Sequence, residues 1–243
     1  FMAEFDSIRS GTRSDSYIDI DSGLRAHMNK VYGLMAVAMV ITGAVAWSIG
    51  TSPQLVSALF SNSIISLIVM FAPLGFVFFL SARVMKMSYS AGQLSFWLFS
   101  ALMGLSLSTI FVVYTGASIA NAFFTTAVAF GAMSLFGYTT KKDLSGMGRF
   151  LFMGVIGLIV AMIINWFTQS PGLEFAINVL GVLIFAGLTA YDTQNIKNTY
   201  LSIRNAPNGE EIAAKAGILG ALSLYINFLN MFMFLLQFMG NRE

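Results

Sequence analysis

The sequence predicts an all-α, polytopic membrane protein built from seven transmembrane helices, and three observations carry that reading. Of the 243 residues, 57% are apolar and only 10% are charged, against ~25% charged in ordinary soluble domains. Even a 300-residue soluble domain buries only about 75% of the surface its unfolded chain exposes, so a soluble fold of this length has no place to hide so much apolar surface. The apolar residues also fall in continuous runs long enough to cross a bilayer, which takes about 20 residues per helix. Finally, the basic residues fall only on alternate connectors, as the positive-inside rule requires of a multi-pass chain.

The spans follow in order. The first runs Val31 to Ile49 and is ended by Thr51, Ser52 and Pro53. The second runs Ser63 to Leu80 and contains Pro73, the only proline within a span. A kink is expected there, with neighbouring helices satisfying the freed carbonyl. The third runs Gln93 to Tyr114 and the fourth Ala117 to Tyr138, with Gly116 between them. The fifth runs Phe150 to Thr168, and the turn Gln169-Ser170-Pro171-Gly172 separates it from the sixth, Phe175 to Tyr191. A loop over Asn205 to Gly209 precedes the seventh, Ala214 to Met239. The runs are continuous rather than alternating with period two, which excludes a transmembrane β-barrel.

The chain divides into a polar N-terminal tail, residues 1–28, and a membrane domain, residues 29–243. The apolar run near residue 31 is too long for the core of a cleaved leader and follows a tail with five acids, so no signal peptide is expected. Asp21 or Ser22 is placed to cap a helix leading into the first span. Arg9, Arg13, Arg25 and Lys30 lie in the tail. Arg83 and Lys86 follow the second span, Lys141, Lys142 and Arg149 the fourth, and Lys197, Arg204 and Lys215 the sixth. Twelve of the 13 basic residues thus share one side, which the rule makes cytoplasmic. The N-terminus is expected inside and the C-terminus outside.

Several function classes drop out on composition. With no cysteine, there is neither a disulfide, a thiol nucleophile nor a cysteine–zinc site. A net charge of +2 without a basic stripe excludes nucleic acid as a partner. No P-loop, dinucleotide fingerprint or zinc motif occurs, and no cofactor is expected. An intramembrane aspartyl protease needs two facing acids, and one is found. A serine protease needs a Ser–His or Ser–Lys pair at depth, and the single His27 lies outside every span, where it reads as a surface residue. The expectation is therefore not an enzyme.

An ionisable group within a span marks function by default, and Asp192 is the one acid set against a span. If the sixth helix continues through Asn195 and Lys197, Asp192 lies a turn or two inside the cytoplasmic boundary, an i, i+3 neighbour of Asn195 on one face; the alternative reading is an interfacial carboxylate solvated by headgroups. In the seventh span, Ser223, Asn227, Asn230 and Gln237 recur at i, i+4, i+7 and i+14, a stripe under about 90° wide. Facing lipid, such a row is expensive. It is either interhelical hydrogen-bond glue, worth roughly 0.6–2 kcal/mol per contact, or the wall of a hydrated path. Ala213, Gly217 and Ala221 form a small-xxx-small row suited to close packing. Arg83 is either a snorkelling anchor or a cationic partner for Asp192.

Three stretches in order carry a resemblance. These are Ala190-Tyr191-Asp192-Thr193-Gln194-Asn195-Ile196-Lys197, Lys141-Lys142-Asp143-Leu144-Ser145, and Ala221 to Phe232 with its Ser223, Asn227 and Asn230. Together they resemble signatures of the Bax inhibitor-1 family of membrane proteins, over all seven spans. The resemblance implies a seven-helix bundle with the last helix central, and a pH-sensitive calcium leak across the membrane. In that family two aspartates on the last two helices share a proton and latch to an arginine on the second. By position these are Asp192, Asn227 in place of the second acid, and Arg83. Calcium is then the permeant ion, held weakly and transiently at Asp192, because one Asp and one Asn supply few of the oxygens calcium prefers. The address implied is a bacterial cytoplasmic (inner) membrane, and the partners are the lipid bilayer and calcium. The alternative is a non-conducting modulator that binds other membrane proteins, such as proteases or survival factors, through its tail.

Overall fold

A computed structural model describes residues 2–241, with side chains described from Ser22 to Asn241. The Asp21 cap and the tail basic residues Arg9 and Arg13 fall outside the described side chains, and Arg242 outside the described residues. Secondary structure among the described residues is helical, with one isolated bridge at Tyr114.

Helix α1 is Met2–Gly50, of which Ser22–Gly50 is long and apolar enough to cross a membrane. A short α2, Pro53–Phe60, fills the first connector and starts with proline in its first turn, where the missing N–H costs nothing. Helix α3 is Ser63–Arg83, capped by the Asn62 carboxamide oxygen, which accepts from Ile64 N at 2.9 Å. A 3-10 turn, Val84–Lys86, leads to α4, Tyr89–Leu107, capped by Ser88. Separate from it, α5 is Ile110–Val113. Helix α6 is Gly116–Thr139, capped by Thr115, and α7 is Ser145–Thr168. Helix α8, Pro171–Ile203, opens on a Ser170 cap and a proline; α9 is Gly209–Met239. Gln169 and Asn208, the two positive-φ residues among those described, make the turns that flank α8 (φ 47 and 59), a backbone that amide side chains tolerate.

Seven helices therefore qualify as spans, matching the seven read from sequence. Two boundaries move. Helix α1 is packed before Val31, with Leu24 and Met28 in the core among the described side chains. The sixth continues twelve residues beyond Tyr191 to Ile203, because Thr193, Gln194 and Ile196 are buried against neighbouring helices and tertiary contact extends the helix past the apolar run.

Burial is uneven. Two-thirds of the apolar window of α9 is buried (67%), against 6% for α7. Helix α9 packs against α8, α1, α6 and α4, whereas α7 leans chiefly on α8. The close approaches are made by glycine: a Cβ on Gly137 of α6 would lie 2.1 Å from the Ala190 carbonyl oxygen of α8, and one on Gly181 of α8 would lie 2.6 Å from the Phe234 ring. Such small residues let helices meet at backbone distance where no hydrophobic force drives them together.

Buried polar groups find partners across helices. The Tyr225 hydroxyl bonds Thr42 Oγ1 at 2.6 Å. The Thr42 proton is engaged by the carbonyls of Ala38 and Ser100, so Tyr225 is the donor. Hydroxyls of Tyr32, Ser134 and Thr193 link α1, α6 and α8. Lys197 Nζ donates to the Tyr138 carbonyl at 2.7 Å, placing a cation at the C-terminal end of α6, where the helix dipole favours it. Gln194 clamps the connector between α6 and α7: its Oε1 accepts from Leu144 N and its Nε2 donates to the Lys142 carbonyl, each at 2.8 Å. Gln194→Leu strands the buried Leu144 N–H, and we expect a loss of about 1–3 kcal/mol. Faster proteolysis within the connector over 140–144 would register it.

Candidate functional site

Asp192 lies on α8, about 16 Å along the axis from the helix end at Ile203. It is half-buried, and its Oδ2 accepts a hydrogen bond from Asn227 Nδ2 of α9 at 2.7 Å. The amide must present nitrogen here, because its oxygen would face a carboxylate oxygen. The two helices come this close through glycine again: a Cβ on Gly220 would lie 2.7 Å from Ile196. Asn227 itself is only 4% exposed. Asp192 and the amide of Asn227 thus sit together between α8 and α9.

Two cavities border this pair. One, of about 370 Å³, lies between α7, α8 and α9; its walls are apolar (Phe152, Leu158, Phe185), and its polar lining is Asp192, Ser223, Asn227 and Asn230. The other, of about 180 Å³, lies between α1, α8 and α9 and is lined by His27, Asp192, Asn195, Thr199 and Ser223 among others. Asp192 and Ser223 line both, so they stand where the two cavities meet. A third cavity, of about 280 Å³, shares Ile226 and Asn230 with the first and opens against α3 and α4. The row Ser223–Asn227–Asn230 therefore borders successive voids along α9. Asn230 also donates to the Ile226 carbonyl at 2.8 Å.

Three sequence expectations need correction. Arg83 is exposed at the end of α3 and forms no ion pair with Asp192 among the described residues. Helix α3 packs on α4 while Asp192 faces α9 and the cavities beside it, so the structure does not join the two side chains, which favours the snorkelling alternative for Arg83. Gln237 is exposed, about two turns beyond Asn230 at the end of the bordered row, and is not part of the site. His27 is no surface residue. It is half-buried, its ring stacks on Tyr200 with centroids 4.6 Å apart, and it faces the same cavity as Asp192. A Cβ on Gly217 would lie 3.2 Å from its Cε1, so the small row Ala213–Gly217–Ala221 is what admits α1. The signal for His27 was present: Leu24, Met28, Val31, Met35 and Ala38, all buried, extend the helical period of the first span through the polar stretch that holds it.

The donor set suits a passing cation better than a resident metal. Asp192, Ser223 and the Asn227 carbonyl oxygen offer few of the six to eight oxygens calcium takes, and among the described residues no group of three or more His, Cys, Asp or Glu converges. Asp143, in the fourth connector, is no rival as a pH sensor near neutrality. The Ser145 hydroxyl and N–H hold its carboxyl below the usual carboxylate range, so it stays ionised there.

The chain is 46% identical over 233 residues, 95% of its length and 98% of the relative's, to the inner membrane protein YbhL of Escherichia coli strain K12. It is 46% identical to an uncharacterised protein of Caulobacter vibrioides, covering 93% of each chain. An uncharacterised protein of Rickettsia prowazekii is 41% identical, with 92% of each covered. The family model described as inhibitor of apoptosis-promoting Bax1 matches residues 24–243. With seven spans, the α8 signature around Asp192 and this match over all but the tail, the chain belongs to the Bax inhibitor-1 family of membrane proteins.

Proposed function

We propose that this protein is a slow, pH-sensitive cation leak of a bacterial inner membrane, with calcium as permeant ion and no catalytic role. The observation that supports it is the position of Asp192. Its carboxylate, tied to the Asn227 amide, stands where a cavity on the His27 side meets one walled by α7, α8 and α9. In this reading the Asp192–Asn227 hydrogen bond is the closed gate. When it breaks, the carboxylate attracts a cation from the outer cavity, and the hydroxyl and amides of Ser223, Asn227 and Asn230 replace part of its hydration on the way. Protonation of Asp192 removes the attracting charge and makes passage pH-dependent. Arg83 has no part in the gate.

The test is calcium entry into dye-loaded liposomes containing the purified protein, measured across pH. Asn227→Asp would place two carboxylates within hydrogen-bond distance; like charges so close cannot both ionise, and they titrate as a pair sharing a proton. We expect Asn227→Asp to steepen the dependence of flux on pH. An unchanged profile counts against a shared site. Complete absence of flux from the unaltered protein, together with stoichiometric co-purification of another membrane protein, would favour the non-conducting modulator instead.

A further inference from the structure

A second pair of cavities lies on the opposite side of α9 from α7, between α1 and α6, and it is independent of the leak. The first, of about 610 Å³, is lined by Arg25, Asn29, Tyr32, Ser134 and Tyr138, with Met28, Phe130 and Leu135 beside them. The second, of about 730 Å³, is almost wholly apolar, with Met35, Met39, Ile119, Phe123 and Phe228 on its walls. Tyr32 and Phe130 line both, so the two form one groove. It opens sideways, since Val40, Phe124 and Leu135 on its rims are exposed. It therefore has a polar, basic end and a long apolar body.

Charge reinforces the polar end. Arg25 lines it. Lys197 sits behind Tyr138, bonded to the Tyr138 carbonyl and 5.5 Å from the ring centroid. Tyr32 and Tyr138 add phenols, side chains that are enriched where helices meet headgroups. Basic pockets between transmembrane helices on the side rich in Lys and Arg suit anionic headgroups, and the apolar body accepts what a free anion does not have, an acyl chain.

We propose that the α1–α6 groove is a binding site for one anionic phospholipid, its phosphate at Arg25 and an acyl chain along Met35, Met39 and Phe123. The charged end alone would serve a soluble phosphate and the apolar body alone any lipid; their continuity through Tyr32 and Phe130 selects a molecule with both.

The full-length protein, purified in detergent, is titrated with phosphatidylglycerol, phosphatidylcholine or glycerol phosphate and bound molecules are counted by native mass spectrometry. We expect saturable retention of one phosphatidylglycerol per chain, weaker retention of phosphatidylcholine, and no competition from glycerol phosphate. Arg25→Gln should weaken phosphatidylglycerol about fivefold, the effect of one basic side chain at an anionic surface, leaving phosphatidylcholine unchanged, and Arg25→Lys should restore it. Gly43→Leu should abolish retention of both lipids. Gly43 lines the apolar body, and nothing lies within 4 Å of where its Cβ would be, so the leucine fills the groove without disturbing the fold; an unchanged unfolding temperature verifies this. Gly131→Leu, equally open and at the polar end, is the second blocking variant. Equal retention of the two lipids, non-saturating uptake, competition by glycerol phosphate, or retention that survives both leucines would each overturn the proposal.

Discussion

On the proposed leak, we expect Asp192→Asn to abolish the pH response of calcium flux and to lower the flux at neutral pH by at least tenfold. Asparagine keeps the shape of the side chain and can still meet Asn227, so the substitution isolates the charge. A divalent cation 4 Å from a carboxylate is favoured by about 2 kcal/mol even at the dielectric constant of water, which corresponds to roughly thirtyfold in occupancy. Asp192 is the acid bordering the two cavities that flank the gate, and the other charge-bearing group lining them is His27. His27→Gln separates the two contributions: any pH response left in Asp192→Asn and lost in the double variant belongs to the imidazole. Flux and pH profile unchanged in Asp192→Asn would end the gate reading, whatever the fate of the lipid groove, which lies elsewhere in the bundle.

Gly137→Ala produces the largest expected loss of stability from a single methyl group. The new Cβ would stand 2.1 Å from the Ala190 carbonyl oxygen and 2.8 Å from the Ala190 carbonyl carbon. These are backbone atoms of α8 and cannot swing aside, so α6 must lift from α8. Lifting stretches the Ser134–Thr193 bond of 3.1 Å and the Lys197 bond to the Tyr138 carbonyl of 2.7 Å. Overpacking costs typically 1–3 kcal/mol, and the gain of about 1 kcal/mol from replacing a helical glycine offsets only part of it once the polar links are strained. We expect a net loss of about 2 kcal/mol, read as a lower unfolding temperature in detergent. Gly131→Ala, two turns earlier on the same helix with nothing within 4 Å of its Cβ, should be neutral or stabilising. Equal behaviour of the two variants would show that the close approach of α6 and α8 does not hold the bundle.

How much of this was legible in the chain varies element by element. Ser63–Leu80 and Ala117–Tyr138 were readable nearly to the residue, because a bilayer demands apolar length and polar loops end it. The α8 boundary was not, because Thr193, Gln194 and Lys197 are polar residues whose partners lie 50 or more positions away in the fourth connector and α6. The stripe on the last span was visible as a period, and Ser223, Asn227 and Asn230 all border cavities, yet Gln237 shares the period and lies exposed. A helical wheel gives direction and not depth, and the neighbours on each side end where their own helices end.

The sequence by itself determined the class of protein, its seven crossings and Asp192 as the one acid set against a span. Each follows from the cost of exposing polar groups to hydrocarbon, a local quantity that every segment carries within it. Only the tertiary structure decided that Asp192 meets Asn227, that Arg83 stays away, that His27 faces the carboxylate's cavity, and that α1 and α6 leave an amphipathic groove between them. Those outcomes depend on which helices approach to backbone distance, and that was decided by a few glycines whose neighbours lie far away along the chain.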